Sequence, residues 1–258
     1  MTPTREPLRL PTALLTYVGW TLLTLFGMRW ASDGSTKPLL ETVSHGISWS
    51  LVMAIGLLAL VTLAMRWRDL KFVAPRPTSS LRVLWFPAIY LVFFALMPAL
   101  TGLPPASTLL FLGINTVLVG LSEEWMFRGV LFQGLRSRLT MWPSILITSL
   151  LFGAVHVLNV IVTGQLVGSV VQAGAAFLSG MLLITLLIRT GSIWVPIVYH
   201  ALWDFGTFVT SATADTAAPQ DFTAGWLWAL PMVIVLPNAL YALVLLRRVR
   251  HDTRLSTD

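Results

Sequence analysis

The chain of 258 residues contains no cysteine, and only 11% of its residues are charged. Without cysteine, disulfides and all chemistry that needs a thiolate are excluded. An average soluble domain carries a charge on roughly a quarter of its residues, so this chain lacks the side chains that normally cover a water-soluble surface. It also lacks the glycine-rich patterns GxxxxGK[ST] and GxGxxG, so the sequence indicates no nucleotide site.

Long apolar runs fill the chain instead, and 56% of its residues are hydrophobic. Each run is close to the roughly 20 residues that a helix needs to cross the hydrocarbon of a bilayer. Two longer runs are interrupted by residues that end helices, at 102–105 (Gly-Leu-Pro-Pro) and near Gly164. We therefore predict an all-α membrane protein, a bundle of about eight transmembrane helices in which residues 1–258 form a single polytopic membrane domain. The runs are 10–28, 46–65, 83–101, 106–122, 139–163, 165–188, 190–214 and 222–246.

The distribution of cations predicts the orientation of the chain. The net charge is +6, but in a polytopic protein lysine and arginine report topology before they report nucleic acid, so we expect no nucleic-acid partner. Nearly all cations, including the arginines of both termini, fall in alternate loops, and only Arg29 and Lys37 lie on the opposite side. The positive-inside rule then places both termini in the cytoplasm and segment 211–223 outside, in a multi-pass protein of the cell's inner (plasma) membrane.

A few ionisable residues lie inside these apolar runs, where an ionised side chain costs at least a few kcal/mol. Three predicted helices carry them, at approximately 106–136, 143–163 and 192–212, the last with Ser192 as its N-cap. At about 1.5 Å per residue, these groups lie roughly 12 to 20 Å from the cytoplasmic ends of their helices, which predicts one shared site. They are Glu123, Glu124 and Arg128 in LSEEWMFRGVLF, His156 in SLLFGAVHVLN, and His200 and Asp204 in PIVYHALWDF.

Spacing along the first two helices suggests different roles for these residues. Glu124 and Arg128 are four residues apart with the acid first, the favourable order for an ion pair that braces the site. Glu123 lies about 100° around the helix, so it has no local partner and can face other helices. Phe152 precedes His156 by four residues and places a ring beneath the imidazole.

Two further spacings leave alternatives open. Asn159 follows His156 by three residues, so it either shares the face of that histidine or is a polar residue near the outer end of the helix. His200 and Asp204 are again four residues apart. The carboxylate can orient the imidazole, or it can join the imidazole in binding an oxyanion or a metal.

A free carboxylate near two histidines fits hydrolysis. The carboxylate can deprotonate a water that attacks a carbonyl, while a histidine polarises the developing oxyanion. The same side chains, Glu123, His156 and His200, could instead hold zinc with an open position for water. Spacing alone does not choose between these, so no cofactor is firmly predicted and zinc remains possible.

Two rival functions belong to other classes. A proton-coupled membrane transporter also places carboxylates and histidines in the membrane, but such transporters are commonly built from matching half-repeats of broken helices, and the sequence has none. A non-catalytic scaffold or immunity protein could use a degenerate protease fold. The intact set of Glu123, His156 and His200 argues against that role.

Taken in order, the motifs EExxxR, FxxxH and HxxxD on three helices resemble those of the CPBP intramembrane proteases. This family is also called the Abi or CAAX type II prenyl endopeptidase family, and the flanking FRGVLFQGL and TGSIWVPIVYHALWDF are similar to its bacterial branch. The motifs cover roughly residues 115–210. Any one of them would be weak evidence, but their combination in this order is specific.

The resemblance implies hydrolysis of a peptide bond in a membrane-anchored peptide or protein within the lipid bilayer. Glu123 and His156 would activate the water, and His200 with the residue at 204 would stabilise the oxyanion. Glu124 and Arg128 would brace the site. The prenyl proteases have Asn where this chain has Asp204, and an ionised aspartate only accepts hydrogen bonds, so orienting His200 is an equally good role. The family carries a metalloprotease label, yet a glutamate-activated water without metal also fits it, and we favour no tightly bound metal.

Overall fold

The computed structural model describes residues 8–31, 34–213 and 229–247. Within these ranges the chain forms helices and connecting turns and no strand. Four of the arginines that contribute to the predicted orientation, Arg5, Arg248, Arg250 and Arg254, lie outside the described residues, as do residues 214–223 of the predicted outer segment. Their sidedness therefore stays a prediction.

The first half of the described chain consists of helices of unequal length. Gly102 adopts a positive φ of 81°, and after Leu103 come Pro104 and Pro105. The helix therefore ends before Gly102, as predicted from the sequence. The elements are α1 (Arg9–Ala31), α2 (Leu39–Ser44), α3 (Trp49–Met65), a 3-10 turn (Thr78–Leu84), α4 (Pro87–Leu96) and α5 (Pro98–Thr101).

The second half carries the residues singled out by their charge. One continuous helix, Ala106–Arg136, consists of α6, a π-helical segment and α7. Gly164, with a φ of 70°, ends α9 at the predicted break. The elements are α6 (Ala106–Glu124), the π-helical segment (Trp125–Leu131), α7 (Phe132–Arg136), α8 (Met141–Val157), α9 (Val160–Thr163), α10 (Leu166–Thr190), α11 (Trp194–Thr213) and α12 (Leu230–Leu246).

Four helical stretches of the described chain are long and apolar enough to cross a membrane, which supports a membrane protein. A fifth arises if the 3-10 turn and α4 to α5, bent by 66°, count as one span. Two further apolar helices, α3 and α12, have 17 residues each and are shorter than a typical span. The number of about eight spans therefore stays a prediction. The four are Arg9–Trp30, Ala106–Arg136, Met141–Thr163 and Leu166–Thr190.

Glycines bring the helices that carry the ionisable residues into close contact. A Cβ on Gly120 of α6 would lie 2.8 Å from the carbonyl oxygen of Ile197 on α11. A Cβ on Gly153 of α8 would lie 2.7 Å from the carbonyl oxygen of Ala173 on α10. Small residues at such crossings let helix backbones approach each other within a bilayer. Because Gly120 lies one turn before Glu123, the contact brings the glutamates up to α11.

We expect Gly120→Ala to destabilise the protein by about 1 to 3 kcal/mol, because the new methyl group meets backbone atoms that cannot move independently. Denaturation in mixed detergent micelles measures the loss. Gly56→Ala on α3 is the matched control, since a Cβ there has no atom within 4 Å. Equal stability of the two variants would show that α6 and α11 are not held in close contact.

Candidate active site

A buried ion pair within the helix Ala106–Arg136 also contacts α11. The guanidinium of Arg128 donates to Glu124 Oε1 at 2.9 Å, and neither side chain is exposed. The same oxygen lies 2.9 Å from Nδ1 of His200. Because a carboxylate oxygen accepts, Nδ1 is the donor in this contact. Glu124 therefore fixes the position of the imidazole as well as that of Arg128.

The other ring nitrogen of His200 lies between two carboxylates. Nε2 is 3.5 Å from Asp204 Oδ2 and 3.9 Å from Glu123 Oε2. Glu123 Oε2 is buried and has no hydrogen-bond partner among the described residues. Glu124 Oε2 likewise has no hydrogen-bond partner among the described residues, but Glu124 is held by Arg128 and His200 through Oε1.

Backbone contact fixes the tautomer of His156. Its Nδ1 lies 2.7 Å from the carbonyl oxygen of Phe152, one turn earlier on α8. A carbonyl only accepts, so Nδ1 carries the proton. In the neutral ring Nε2 then holds the lone pair, and it can accept a proton or a hydrogen bond from water.

Phe152 packs against both imidazoles. Its ring lies 5.0 Å from that of His156 and 5.9 Å from that of His200, both edge to face. The guanidinium of Arg128 lies 4.3 Å from the centre of the same ring. Edge-to-face and cation–π contacts of this kind orient their partners. Phe152 therefore holds the two histidines in a fixed relation to the ion pair.

A cavity of about 930 Å³ brings the candidate residues together. Glu123, His156, His200 and Asp204 all line it, whereas most of its wall is apolar. Apolar walls with a few convergent polar groups are typical of binding sites. The apolar lining includes Trp20, Leu25, Phe93, Phe94, Leu183, Trp203, Ile234 and Val235.

Part of the cavity wall is also outer surface. Phe93 of α4 and Ile234 of α12 line the cavity, yet 53% and 43% of their surfaces are exposed. The hydroxyl of Tyr90 donates to the Ile234 carbonyl at 3.0 Å across the same two helices. Both helices therefore contribute exposed apolar side chains to the cavity wall.

The zinc alternative requires three side chains around one point. Among the described residues no group of three or more His, Asp or Glu side chains could hold a metal ion. Nδ1 of His200 is occupied by Glu124, and Nδ1 of His156 by the Phe152 carbonyl. Nε2 is thus the nitrogen that each ring has left for a ligand, but the described residues as they stand bring no three such side chains together, and the proposed mechanism uses no metal.

The side chain of Asn159 contacts α10, and only the backbone N–H of Asn159 bonds to His156, whose carbonyl oxygen accepts at 3.1 Å. Nδ2 of Asn159 donates to Oε1 of Gln172 at 2.9 Å, and both residues line the cavity. Gln172 was not predicted from the sequence as a site residue. It could have been identified, because it is the only carboxamide in the apolar run 165–188 other than Gln165, the first residue of that run.

A known protein family matches the part of the chain that contains this site. The family model described as Type II CAAX prenyl endopeptidase Rce1-like matches residues 105–206. Over these residues the chain matches the CAAX protease family. The matched region runs from the start of α6 into α11 and contains Glu123, His156, His200 and Asp204. The resemblance inferred from the three motifs is confirmed.

One curated relative has a name that states no activity. It is an uncharacterized 24.3 kDa protein of Escherichia coli, 36% identical over 88 residues. The aligned part is 33% of this chain and 36% of the relative, so the chain spans about a third of the length of the curated relative it matches. No solved structure matches the chain significantly.

Proposed function

We propose that this protein is an intramembrane endopeptidase that hydrolyses a peptide bond of a membrane-anchored peptide or protein. The observation that carries the proposal is the buried carboxylate oxygen of Glu123 that has no hydrogen-bond partner among the described residues, in a cavity that Glu123 shares with two oriented histidines. The match to a family of endopeptidases supports it. We expect the protein to act as a multi-pass protein of the inner membrane with both termini in the cytoplasm.

Glu123 and His156 activate the water. Glu123 takes one proton, and the water oxygen forms a bond to the carbonyl carbon of the substrate while the π electrons of the carbonyl move to its oxygen. Nε2 of His156 accepts a hydrogen bond from the same water, since Nδ1 is held by the Phe152 carbonyl. When the tetrahedral intermediate collapses, the proton on Glu123 passes to the leaving amine as the C–N bond breaks.

His200 stabilises the negative oxygen of the intermediate. Glu124 holds Nδ1–H, so donation from Nε2 to the substrate requires the ring to carry both protons. A charged imidazolium in apolar surroundings needs nearby negative charge, which Glu124 and Asp204 supply. Asp204 in its ionised form lies 3.5 Å from Nε2 and stabilises the charge of the ring, so it acts through His200, while the single Nε2–H donates to the substrate.

A membrane-anchored substrate fits the shape of the cavity. We infer that the substrate enters beside α4 and α12, where the apolar side chains of Phe93 and Ile234 line the cavity and are exposed. A substrate in the bilayer can enter there without crossing water. Inside, the apolar wall excludes most water and strengthens the electrostatic contacts of the reacting groups.

Comparative membrane proteomics tests this function. Membranes from a wild-type strain and from a strain carrying Glu123→Ala are compared by quantitative mass spectrometry. We expect at least one membrane-anchored protein to accumulate uncleaved in the variant, with its two fragments present only in the wild type. Identical membrane proteomes would contradict the proposal.

We expect removal of metal to leave hydrolysis unchanged, because the proposed steps use only Glu123, His156 and His200. Purified protein is dialysed against a strong chelator, its zinc content is determined, and its rate of hydrolysis is measured before and after. One equivalent of zinc that is lost together with activity, and restores activity when added back, would show that these side chains hold a metal.

A further inference from the structure

Two carboxamides on the cavity wall have polar atoms that the proposed reaction does not use. Asn159 lies three residues after His156, just before α9, and Gln172 lies on α10. Asn159 Nδ2 donates to Gln172 Oε1 at 2.9 Å. Among the described residues, Asn159 Oδ1 and Gln172 Nε2 make no hydrogen bond, and neither is fully buried. One acceptor and one donor therefore stand side by side on the wall of the cavity.

A substrate main chain needs such groups. Hydrolysis requires an accessible peptide bond, so the substrate cannot remain helical at the point of cleavage. In an apolar cavity its freed N–H and C=O groups each cost several kcal/mol unless they find partners. The protein must therefore supply hydrogen bonds to the residues that flank the scissile bond.

We propose that Asn159 and Gln172 form a subsite that binds the main chain of the substrate beside the scissile bond. Asn159 Oδ1 accepts from a peptide N–H, and Gln172 Nε2 donates to a peptide carbonyl. This inference rests on the proposed function in that the occupant is a peptide. Both residues are positioning residues, since neither contacts the reacting carbonyl.

The hydrogen bond between the two carboxamides explains why the subsite is ready to bind. It orients both side chains before the substrate arrives, so little side-chain entropy is lost on binding. The subsite lies one turn beyond His156, so a bound peptide unit comes within a residue or two of the activated water. Because the contacts involve the main chain, binding is largely independent of the substrate sequence.

A binding experiment tests the subsite apart from catalysis. The Glu123→Gln protein in lipid nanodiscs is titrated with acetyl-(Leu-Ala)3-amide that carries a fluorophore, and with analogues N-methylated at one peptide bond at a time. We expect Asn159→Ala to weaken binding about threefold to tenfold. N-methylation at one position should weaken binding by a similar factor, but have no further effect in Asn159→Ala.

Two variants separate recognition from helix packing. Gln172→Glu keeps the oxygen that accepts from Asn159 but removes the Nε2 donor, so we expect weaker binding; its thermal stability is measured beside it, because an ionised side chain there costs free energy. Thr210→Val is the control, because its hydroxyl lines the cavity but donates to the Gly206 carbonyl of its own helix. It should bind as the parent protein does.

Several outcomes would overturn the subsite. These are no binding of the peptide to the Glu123→Gln protein, additive effects of N-methylation and Asn159→Ala, or full binding by Gln172→Glu. Any of them would mean that the hydrogen bond between the two carboxamides only holds the chain at Asn159 against α10. Failure of the proposed function has a different signature, since peptide would bind with the expected dependence on Asn159 but remain uncleaved by the wild-type chain.

Discussion

Glu123→Gln should lower kcat for peptide hydrolysis by at least about 100-fold, because general-base catalysis typically contributes that much or more. Glutamine has nearly the same size and shape as glutamate but cannot take the proton of the water. Glu123 Oε2 makes no hydrogen bond among the described residues, so the substitution breaks none there and removes the negative charge 3.9 Å from Nε2 of His200. His156→Ala should have a comparable effect, because Nε2 of His156 is the second partner of the same water.

The measurement uses purified protein in liposomes, with the membrane protein that accumulates in the Glu123→Ala strain as substrate. Glu41→Gln is the control, since Glu41 is an exposed carboxylate paired with Lys37. It should hydrolyse the substrate at the wild-type rate. Hydrolysis by Glu123→Gln at the wild-type rate, with the protein folded, would remove Glu123 from the mechanism.

Glu124→Ala should destabilise the protein by about 3 to 5 kcal/mol, because it leaves the charge of Arg128 buried without its carboxylate. The same change frees Nδ1 of His200, so we also expect hydrolysis to be lost. The burial of the pair decides the magnitude. Its side chains are inaccessible to solvent, and water cannot replace the missing partner.

The chain provides a control with the same spacing. Lys37 and Glu41 form an ion pair four residues apart at 2.9 Å, but both side chains are more than 40% exposed. Exposed pairs contribute roughly 0 to 1 kcal/mol, so Glu41→Ala should have little effect on unfolding in mixed micelles. Equal losses of stability in Glu41→Ala and Glu124→Ala would mean that the buried pair does not brace the site.

Much of the fold follows from features that are local in sequence. The helix ends at Gly102 and Gly164 were predictable, because glycine adopts positive φ and proline cannot continue a helix. The contact between Glu124 and Arg128 was predictable in the same way, since residues four apart share a helix face. Each of these predictions depends on a few neighbouring residues.

Contacts between helices could not be predicted from the sequence in the same way. The spacing of residues within α6 does not reveal that Glu124 contacts His200 on α11. The spacing between His156 and Asn159 does not reveal that Asn159 donates a hydrogen bond to Gln172 on α10. These pairs depend on how closely the helices approach. At the α6–α11 crossing, Gly120 allows that approach, but the sequence does not say which helix lies opposite.

The start of α11 shows tertiary contact overriding a local signal. Ser192 was predicted to cap this helix, but the helix begins at Trp194. The Ser192 hydroxyl instead donates to the carbonyl of Val73, in the loop before the 3-10 turn. The hydroxyl of a serine near a helix start can bond to any acceptor or donor that the fold places beside it. Here that partner is distant in sequence.

Oxygen-18 labelling tests the central claim most directly. Wild-type protein in liposomes is incubated in water enriched in oxygen-18 with the membrane protein that accumulates in the Glu123→Ala strain, and the products are analysed by mass spectrometry. We predict two fragments, with oxygen-18 in the new carboxyl terminus, and no fragments with Glu123→Gln. A substrate that remains intact in the wild-type reaction, or crosses the bilayer uncleaved, would contradict hydrolysis by Glu123-activated water.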